Sequence, residues 1–588
     1  MRKAKIVCTL GPASDDRRTI RRLADAGMSV ARLNASHGTP EHRREVISRV
    51  RAVDEATDRP LAAMVDLQGP EVRTAPLEGT VHLETGSEVR FVEGEDATPE
   101  TVGLSYSIAA AEPGDRILLD DGRIVATALR AEGDAVVARI DSGGDLGGRK
   151  GVNLPGVDLE VDLITDDDRT ELDVAAETEA DFVAASFVRS AADVYTVSDA
   201  LDERGADVPV VAKIERAGAV ENLEEIIDAA FGVMVARGDL GVEMPLEDVP
   251  IIQKRIIRKC HEAGTPVITA TEMLDSMIHA RRPTRAEASD VANAVLDGTD
   301  AVMLSGETAV GDDPVRVVET MDRIVRQIEA SDEYAEGRDQ RIPAADEDSR
   351  TEALARSARY LARDVGASAI VAASESGYTA RKTAKFRPAV PVVATTPTDR
   401  VRRQLALSWG IVPVYSAYRD GVDQLMEDAV DVALDADVAS SGDTLVVLSG
   451  MMTELEGTNT TNMLKLHVAA ETVATGRTVV GGRVSGPLAV SGDGDLSSVP
   501  AGAILSLPAD FEGEFRGDPA KIGGIVDARP GMTGYPAIVA RELDVPMVSG
   551  APLPESLTEG TVLTLHAERG VVYEGDLTKH REREIEAA

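Results

Sequence analysis

The chain has 588 residues, more than a single hydrophobic core organises, so several domains are expected. Its net charge of −40 at pH 7 argues against partners such as nucleic acid or an anionic membrane. No apolar run approaches the roughly 18 residues that span a bilayer. The two cysteines, Cys8 and Cys260, form no CxxC motif and no disulfide framework, which indicates a reducing, cytoplasmic location.

The negative charge is spread along the whole sequence and lysine is scarce beside arginine. In molar salt the Debye length falls to about 3 Å, so the self-repulsion of such a surface is screened. An ordinary acidic protein with solvated faces is the alternative. The size and spread of the charge favour a salt-adapted, halophilic protein.

The first three hundred residues alternate apolar β-type segments with amphipathic helical segments. Near-continuous apolar strands separated by helices are typical of a parallel sheet covered by helices, and eight such units predict a TIM barrel. The predicted strands are KIVCTL, SVARLN, LAAMVDL, DFVAASF, VPVVAKI, GVMVARG, TPVITAT and AVMLSG. We assign the barrel to residues 1–70 and 154–335.

One connection breaks this alternation. Residues 71–153 lack helical periodicity and contain short alternating strands, such as DRILLDDGRIVATALR with its Asp121–Gly122 hairpin signal. We therefore expect a small β-barrel domain inserted after the third barrel strand. Beyond a polar, acidic linker, residues 350–474 alternate helix and strand, which predicts an open α/β domain. Residues 477–580 are rich in glycine and β segments and form a fourth, β/α domain.

The strand ends carry the chemistry, because a TIM barrel builds its active site at the carboxyl ends of its strands. Glu215 and Asp239 follow neighbouring strands, and two carboxylates suit a hard divalent cation that keeps positions for substrate. Arg32, Arg73, Lys213 and Arg237 are cations suited to phosphate or carboxylate. A metal with clustered cations is the equipment of phosphoryl transfer.

Each pattern has a simpler interpretation when taken alone. An aspartate between glycines is typical of a turn, and Lys-Ile-Glu is typical of a salt-bridged strand end. His37 either contacts a nucleotide or caps its loop, and Thr308 is interpreted as a local cap. The recurrence of charged and hydroxyl residues at successive strand ends favours one shared site.

The motifs ARLNASHG, MVDLQGPEVRT, RKGVNLPG, AKIE, ARGDLGVE, ATEML and MLSGETAVGD resemble those of the pyruvate kinase family, in the family's order. The resemblance covers the barrel and the inserted domain, and more weakly the third domain through SESGYTARKTAKFRP and GTNTTNMLKLHV. It implies a salt-adapted, archaeal-like pyruvate kinase of glycolysis that converts phosphoenolpyruvate and ADP to pyruvate and ATP.

The resemblance also implies residue roles. Glu215 and Asp239 match the Mg²⁺ or Mn²⁺ ligands, Lys213 the residue that stabilises the phosphoryl group in flight, and Arg32 the arginine on that group. The amides at Gly238 and Asp239 and the hydroxyl of Thr271 would bind the substrate carboxylate, and Thr271 with Ser305 would support protonation of the enolate. The nucleotide positions are Asn34, His37, Arg73 and Lys150, and the inserted domain would close as a lid.

A potassium site is implied at Asn34, Ser36, Asp66 and the Leu67 carbonyl. Potassium-dependent members usually carry Thr-Lys after the aspartate and a glutamate further on, whereas independent members carry Leu-Gln and a lysine. This chain has Leu67–Gln68 together with Glu71, a mixed signature that we interpret as K⁺ dependence.

The remaining domains carry weaker signals. Ser374, Ser376, Gly377 and Thr379 form a candidate effector loop for allosteric control, with a plain capped helix start as the alternative. The last domain resembles the mobile phosphohistidine domain of phosphoenolpyruvate-utilising enzymes, but Tyr535 stands where the histidine would be. The family usually forms homotetramers. A relay dikinase, a carbon–carbon lyase and a non-catalytic sensor are the rival interpretations.

Overall fold

The computed structural model describes residues 1–57, 59–120, 122–157, 159, 161–417, 422–440, 442–450, 461–469 and 472–577. Residue Asp121 of the hairpin signal, residues 457–460 of the GTNTTN motif and residues 578–580 of the predicted last domain lie outside this set. The chain divides into two compact units, Met1–Arg356 with Ser374–Tyr415 and Ser357–Ala373 with Ser416–Ala588.

In the described part of the first unit, eight parallel strands close into a barrel in which every strand pairs with its neighbours in sequence. Each strand is short, apolar and almost entirely buried, as the alternating pattern predicts. Numbered 1 to 8 in chain order, the barrel strands are Lys5–Thr9, Val30–Asn34, Ala62–Asp66, Phe182–Ala185, Val210–Ile214, Gly232–Ala236, Val267–Ala270 and Ala301–Leu304.

Amphipathic helices surround the barrel and bury their apolar faces against it. Two of these helices start at a capping box, in which Thr165 pairs with Asp168 and Thr284 with Glu287. The helices of this unit before residue 350 are Arg17–Ala26, Pro40–Asp54, Asp166–Glu177, Ala191–Asp202, Ala217–Glu221, Leu223–Ala229, Arg237–Glu243, Val249–Ala263, Arg285–Asp297, Gly306–Ala309, Pro314–Glu329 and Asp332–Gln340. A 3₁₀ turn spans Asp275–Ile278.

Between barrel strand 3 and its helix lies an inserted β region with its own core, which includes Phe91, Val102 and Ile117. Its strands form a six-stranded sheet and a two-stranded sheet. They are Thr80–Leu83, Glu88–Glu93, Thr101–Leu104, Arg116–Leu119, Ile124–Glu132, Ala135–Ser142, Gly144–Gly147 and Val152–Asn153. This insertion at the carboxyl end of strand 3 places it on the side where the barrel's site residues emerge.

The first unit also contains the segment from Ser374 to Tyr415, whose strands Val392–Thr396 and Ile411–Tyr415 pair in parallel. Its helices are Tyr378–Lys385 and Asp399–Gln404, followed by a 3₁₀ turn at Leu405–Leu407. Helix Arg350–Asp364 runs across the boundary between the two units.

In the second unit, strand Thr444–Ser449 pairs in parallel with Ala369–Ala373 and antiparallel with Met463–Val468, and a helix spans Val422–Asp435. An eight-stranded mixed sheet follows, with helix Tyr535–Leu543 and a 3₁₀ turn at Pro519–Lys521. Its strands are Thr472–Thr475, Arg477–Val480, Arg483–Val490, Ala503–Leu507, Ile522–Asp527, Met547–Ser549, Val562–His566 and Val571–Glu574. Every described helix is too short or too polar to cross a lipid bilayer.

Candidate active site

Barrel strands 5 and 6 are hydrogen-bonded neighbours, with Ile214 in register with Val235. Glu215 follows strand 5 directly and is buried. Asp239 is the third residue of the helix Arg237–Glu243, which we name the rim helix and which follows strand 6 without a loop. The two acids predicted to share a metal therefore emerge from adjacent strands at the same end of the barrel.

Lys213 is the centre of a buried ionic cluster. Its Nζ lies 2.7 Å from Glu215 Oε1, 2.7 Å from Ser186 Oγ and 3.4 Å from Asp66 Oδ1. Burial by itself lowers the pKa of Lys213, but the carboxylates of Asp66 and Glu215 outweigh burial, so its pKa is raised. The ammonium group is consequently charged at neutral pH.

Glu215 is held from both sides. Its Oε2 accepts the backbone N–H of Phe187 at 2.7 Å, while Oε1 faces Lys213. Burial raises the pKa of Glu215, and the negative charge of Asp239 raises it further against the opposing effect of Lys213. The two carboxylates repel one another, and a divalent cation bound between them would stabilise this arrangement.

Asp66 joins Lys213 to Arg32. Arg32 is 8% exposed, and its Nε lies 2.5 Å from Asp66 Oδ2 while its Nη1 donates to Thr9 Oγ1 at 2.9 Å. Burial favours the neutral form of Asp66, but the charges of Arg32 and Lys213 prevail and hold its pKa below the usual range. Asp66 Oδ1 is buried and makes no hydrogen bond, although Lys213 is 3.4 Å away.

The residues of the predicted potassium site lie at the ends of strands 2 and 3, where Asn34 and Asp66 are in register. Asn34 Oδ1 accepts the N–H of Ser36 at 3.2 Å. The Leu67 carbonyl accepts the Ser186 hydroxyl at 2.7 Å. Asp168 orders the loop beyond, since its Oδ1 accepts the N–H groups of Gln68 and Gly69.

Thr271 follows strand 7 in a backbone conformation that side chains rarely adopt. Its φ is 73° and that of Glu272 is 54°. A β-branched residue in the left-handed region is a genuine outlier, and such residues cost about 1–3 kcal/mol each and cluster at functional sites. The Gly238 backbone packs directly on Thr271, because a Cβ on Gly238 would lie 2.8 Å from Thr271 Cγ2.

Ser305 follows strand 8 and is linked to the segment after strand 7 through the buried Glu307. Glu307 Oε2 accepts the N–H of Ser305 at 2.6 Å, and its Oε1 accepts the N–H of Leu274 at 3.0 Å. Burial raises the pKa of Glu307. The Thr308 hydroxyl, on the short helix after strand 8, donates to the Thr9 carbonyl at the end of strand 1 at 2.8 Å.

The four predicted nucleotide residues fall into two groups. Asn34 and the exposed His37 belong to the loop after strand 2. Arg73 and Lys150 lie together in the inserted region, where Arg73 bridges to Gly151 and donates to the Arg149 carbonyl at 3.0 Å. Arg73 Nη2 also pairs with Glu71 at 2.6 Å, and Lys150 Nζ with Asp120 at 2.8 Å.

The candidate effector loop ends at a helix start. Ser374 Oγ accepts the N–H of Thr379 at 3.2 Å, and Gly377 has a φ of 76° directly before the helix Tyr378–Lys385. Ser376 lies between them in the same loop. This geometry is compatible with both predicted roles, a capped helix start and an anion loop.

Sequence reasoning missed Thr9 and Ser186, which hold Arg32 and Lys213. Both follow the rule that worked elsewhere, since each is a hydroxyl residue at or just beyond the end of a barrel strand. Arg237 differs from its predicted use: its guanidinium binds the carbonyls of Ala270 and Thr271 and the carboxylate of Asp290. Within the described residues, no group of three or more His, Cys, Asp or Glu forms a complete metal site.

A closed parallel barrel with a largely buried lysine, an arginine and two neighbouring carboxylates at its carboxyl end has the groups that a TIM-barrel phosphotransferase needs. Residues 1–318 match the family model of the pyruvate kinase barrel domain, and residues 352–467 that of the pyruvate kinase alpha/beta domain. Residues 499–570 match the mobile domain of PEP-utilising enzymes.

Pyruvate kinases of Staphylococcus epidermidis and Staphylococcus aureus are each 39% identical to this chain over 583 residues, which cover 98% of the chain and 99% of each relative. The chain belongs to the pyruvate kinase family. It is an enzyme of glycolysis that transfers the phosphoryl group of phosphoenolpyruvate to ADP. The mobile-type domain predicted at its C-terminal end is part of the same relatives' aligned length.

Proposed function

We propose that the cluster of Arg32, Asp66, Lys213, Glu215 and Asp239 is the centre at which this pyruvate kinase transfers its phosphoryl group. The observation that carries the proposal is the buried Lys213 ammonium, held between two acids at the carboxyl end of the barrel. Phosphoryl transfer depends on positioning and charge neutralisation, and a largely buried cation held by two acids supplies both.

Glu215 and Asp239 are the proposed ligands of Mg²⁺, or of Mn²⁺. The raised pKa of Glu215 supports this assignment, because burial and the nearby charge of Asp239 both disfavour its charged form and a bound cation would offset both effects. Two carboxylates suit Mg²⁺, which usually keeps several positions for water and substrate phosphates. When bound, the ion would neutralise charge on the phosphoryl oxygens and orient them.

Asn34, Ser36, Asp66 and the Leu67 carbonyl are the proposed ligands of K⁺. The buried Asp66 Oδ1 without a hydrogen bond supports a cation there. Glu71 argues for K⁺ dependence, because this chain has no lysine at that position to replace the ion. Its carboxylate pairs with Arg73, so Glu71 also positions a proposed nucleotide residue.

The remaining roles follow from position. Arg32 and Lys213 would hold the transferring phosphoryl group, and the amides of Gly238 and Asp239 the substrate carboxylate. Thr271 would bind that carboxylate and, with Ser305, support proton delivery to the enolate carbon. Asn34, His37, Arg73 and Lys150 would bind the nucleotide, the last two from the inserted domain acting as a lid that excludes water.

Site-directed variants can distinguish these catalytic roles from a purely structural role. Lys213→Ala and Asp239→Ala should each lower kcat by about 10²- to 10³-fold, since the loss of one pre-positioned charged group is a large catalytic cost. The measurement is lactate dehydrogenase-linked turnover of phosphoenolpyruvate and ADP with Mg²⁺ in high KCl. Lys259→Ala is the matched control, because that lysine pairs with Glu224 on the exterior. Retained activity in either site variant would remove the assigned role.

The same inference extends to regulation and assembly. Ser374, Ser376, Gly377 and Thr379 form the proposed effector loop, supported by the hydroxyl-lined helix start.

The proposed assembly is a homotetramer. The apolar residues Leu246 and Ile251 are 72% and 67% exposed, and their burial between subunits would support it. The domain boundaries 1–70 with 154–335, 71–153, 350–474 and 477–580 are proposed as functional divisions: barrel, lid, regulatory and mobile-type.

The last domain is proposed to be structural or regulatory, not a phosphate relay. Tyr535 is the first residue of its helix, and the Tyr535 hydroxyl oxygen accepts the N–H of Phe515 at 3.2 Å. No histidine occurs in the segment from Gly523 to Gly550.

The enzyme is further proposed to be salt-adapted, archaeal-like and cytoplasmic. The net charge of −40 supports this, because high salt would screen the repulsion between its surface charges.

A further inference from the structure

Arg237 is the first residue of the rim helix, and its guanidinium points back to the loop after strand 7. Nε donates to the Ala270 carbonyl at 3.0 Å and Nη2 to the Thr271 carbonyl at 2.6 Å. Nη1 pairs with Asp290 Oδ1 at 2.7 Å. One side chain therefore joins the helix that carries Asp239 to the segment that carries Thr271.

The Arg237 contacts surround the strained part of that segment. Thr271 and Glu272 are consecutive non-glycine residues with positive φ, and Arg237 binds the carbonyl of the residue before them and that of Thr271 itself. A strained backbone persists where its surroundings over-determine it. A guanidinium presents its donors in a rigid planar fork, so it holds the two carbonyls in a fixed mutual geometry, whereas a lysine ammonium is a single point charge on a flexible stem.

The same side chain is anchored on its far side. Asp290, on helix Arg285–Asp297, holds Nη1, and Gln253 Oε1 lies 3.4 Å from the same nitrogen. Gln253 in turn donates to Asp297 at 3.2 Å. The guanidinium is thus fixed by the outer helices and cannot turn to a substrate without breaking these bonds.

Thr271 and the rim helix also touch directly. The Thr271 methyl packs on the Gly238 backbone, where a Cβ would lie 2.8 Å away. A rotation of the Thr271 backbone would therefore move its hydroxyl and disturb the Gly238–Asp239 amides together. The proposed carboxylate-binding amides of Gly238 and Asp239 therefore depend on the same backbone conformation as the Thr271 hydroxyl.

We propose that Arg237, anchored by Asp290, is a positioning residue that sets the Thr271 hydroxyl against the rim helix for the reaction. This inference rests on the role of Thr271 given under Proposed function. Arg237 acts through Thr271 and does not touch the substrate. Its predicted use as an anion-binding cation is replaced by this second function.

The test is a double-mutant cycle in the full-length enzyme. Arg237→Met removes the fork but keeps the apolar stem, and a displaced group near the reacting atoms lowers kcat by roughly 100-fold. The KM for ADP should stay unchanged. Arg237→Lys keeps the charge and should recover only part of the loss. In a Thr271→Val background, Arg237→Met should add no more than about twofold, because both changes remove the same function.

A matched control is Arg2→Met, because Arg2 also binds a carbonyl and an aspartate, Gly27 and Asp322. It should change thermal stability without lowering kcat. If Arg237→Met proves unstable, Asp290→Asn takes its place in the cycle, with a kcat loss of about tenfold expected on the same grounds.

The outcomes separate the two proposals. Full kcat in Arg237→Met, or losses that multiply in the double variant, would overturn the positioning role while leaving Thr271 assigned. Full kcat in Thr271→Val would instead overturn the assignment under Proposed function, and the positioning role with it. A loss in Arg237→Met that vanishes in the Thr271→Val background supports both.

Discussion

Two ionic clusters that contain buried acids lie at opposite ends of the barrel strands, and they differ in how completely their buried oxygen atoms are hydrogen-bonded. The rim cluster, Arg32, Asp66, Lys213, Glu215 and Asp239, lies at the carboxyl ends. The base cluster lies at the amino ends and consists of Arg51, Asp54, Asp181, Arg402 and Arg403. Both combine arginines with buried acids, so burial and charge alone do not tell them apart.

In the base cluster every carboxylate oxygen has a partner. Asp181 Oδ2 accepts from Ala63 N at 2.7 Å and Arg51 at 2.6 Å, and Oδ1 from Arg403 at 2.8 Å. Asp54 accepts from Leu61 N at 2.9 Å and from Arg402 at 2.8 Å. Such a satisfied network specifies the fold and leaves no group for a ligand.

The rim cluster is left incomplete. Asp66 Oδ1 makes no hydrogen bond, Glu215 and Asp239 repel one another, and the neighbouring Thr271 backbone is strained. Buried oxygen atoms without a hydrogen bond and strained backbone residues persist at sites where a ligand completes them. The comparison teaches that the completeness of hydrogen bonding, rather than charge, distinguishes the end of the barrel with the proposed active site from the opposite end.

Among the tests of this comparison, the largest effect is expected from exchanging one carboxylate for an amide at each end of the barrel. Asp66→Asn should lower kcat by about 100-fold or more, because it weakens the fixed charges that orient Lys213 and Arg32. Asp181→Asn should leave kcat nearly unchanged and lower the free energy of unfolding by roughly 3 kcal/mol, as breaking a buried pair does. Steady-state kinetics and urea denaturation measure the two effects. A kcat loss in Asp181→Asn equal to that in Asp66→Asn would abolish the distinction.

The next effect is on monovalent cation use. Replacing K⁺ by tetramethylammonium should lower kcat by about tenfold or more, since a charge is lost from the site. Glu71→Lys should reduce that dependence by supplying a cation of its own. Asp181→Asn is the control and should keep the full K⁺ response. Equal activity of the unaltered enzyme in both salts would contradict the proposed potassium site.

The smallest effect is a pH dependence of stability at the base end of the barrel. Burial, assisted by the nearby Arg387 charge, lowers the pKa of His261 to about 3, and its Nε2 contacts the Lys385 carbonyl at 2.8 Å. The unfolded state then takes up this proton near pH 6.5 while the folded state does not. Stability is therefore present above pH 6.5 and is lost as the pH falls towards 3.

His261→Gln keeps an N–H donor for the Lys385 carbonyl but does not titrate. Between pH 7 and pH 5 the unaltered protein should lose about 1–2 kcal/mol more unfolding free energy than this variant. Thermal or urea unfolding at the two pH values measures the difference, and kcat at neutral pH should match in both proteins. Parallel pH curves would show that His261 is protonated in the folded state.

Much of the site could be predicted from the order of residues along the chain. The eight apolar segments are the eight barrel strands, because burial on both faces imposes a continuous apolar pattern that is visible in sequence. Glu215, Asp239 and Lys213 were found by their position just after or at the end of those strands. Parallel strands bring their carboxyl ends to one rim whatever the intervening loops do.

The hydrogen-bond and ion-pair partners of these side chains could not be predicted in the same way. Nothing adjacent in sequence to Lys213 indicates that Ser186 and Asp66 hold its ammonium, since these contacts join strands far apart along the chain. Arg237 has the same side chain as Arg32, yet it binds backbone carbonyls. Its use depends on where helix Arg285–Asp297 places Asp290.

The sequence by itself therefore determined the barrel, the inserted β region, the family and the residues at the rim, because these depend on local hydrophobic periodicity and on position along a strand. Only the tertiary structure decided which charges are satisfied, which oxygen is left without a hydrogen bond, and that Arg237 supports a strained threonine. Those properties depend on distances between side chains from different strands and helices, which close packing sets after the chain has folded.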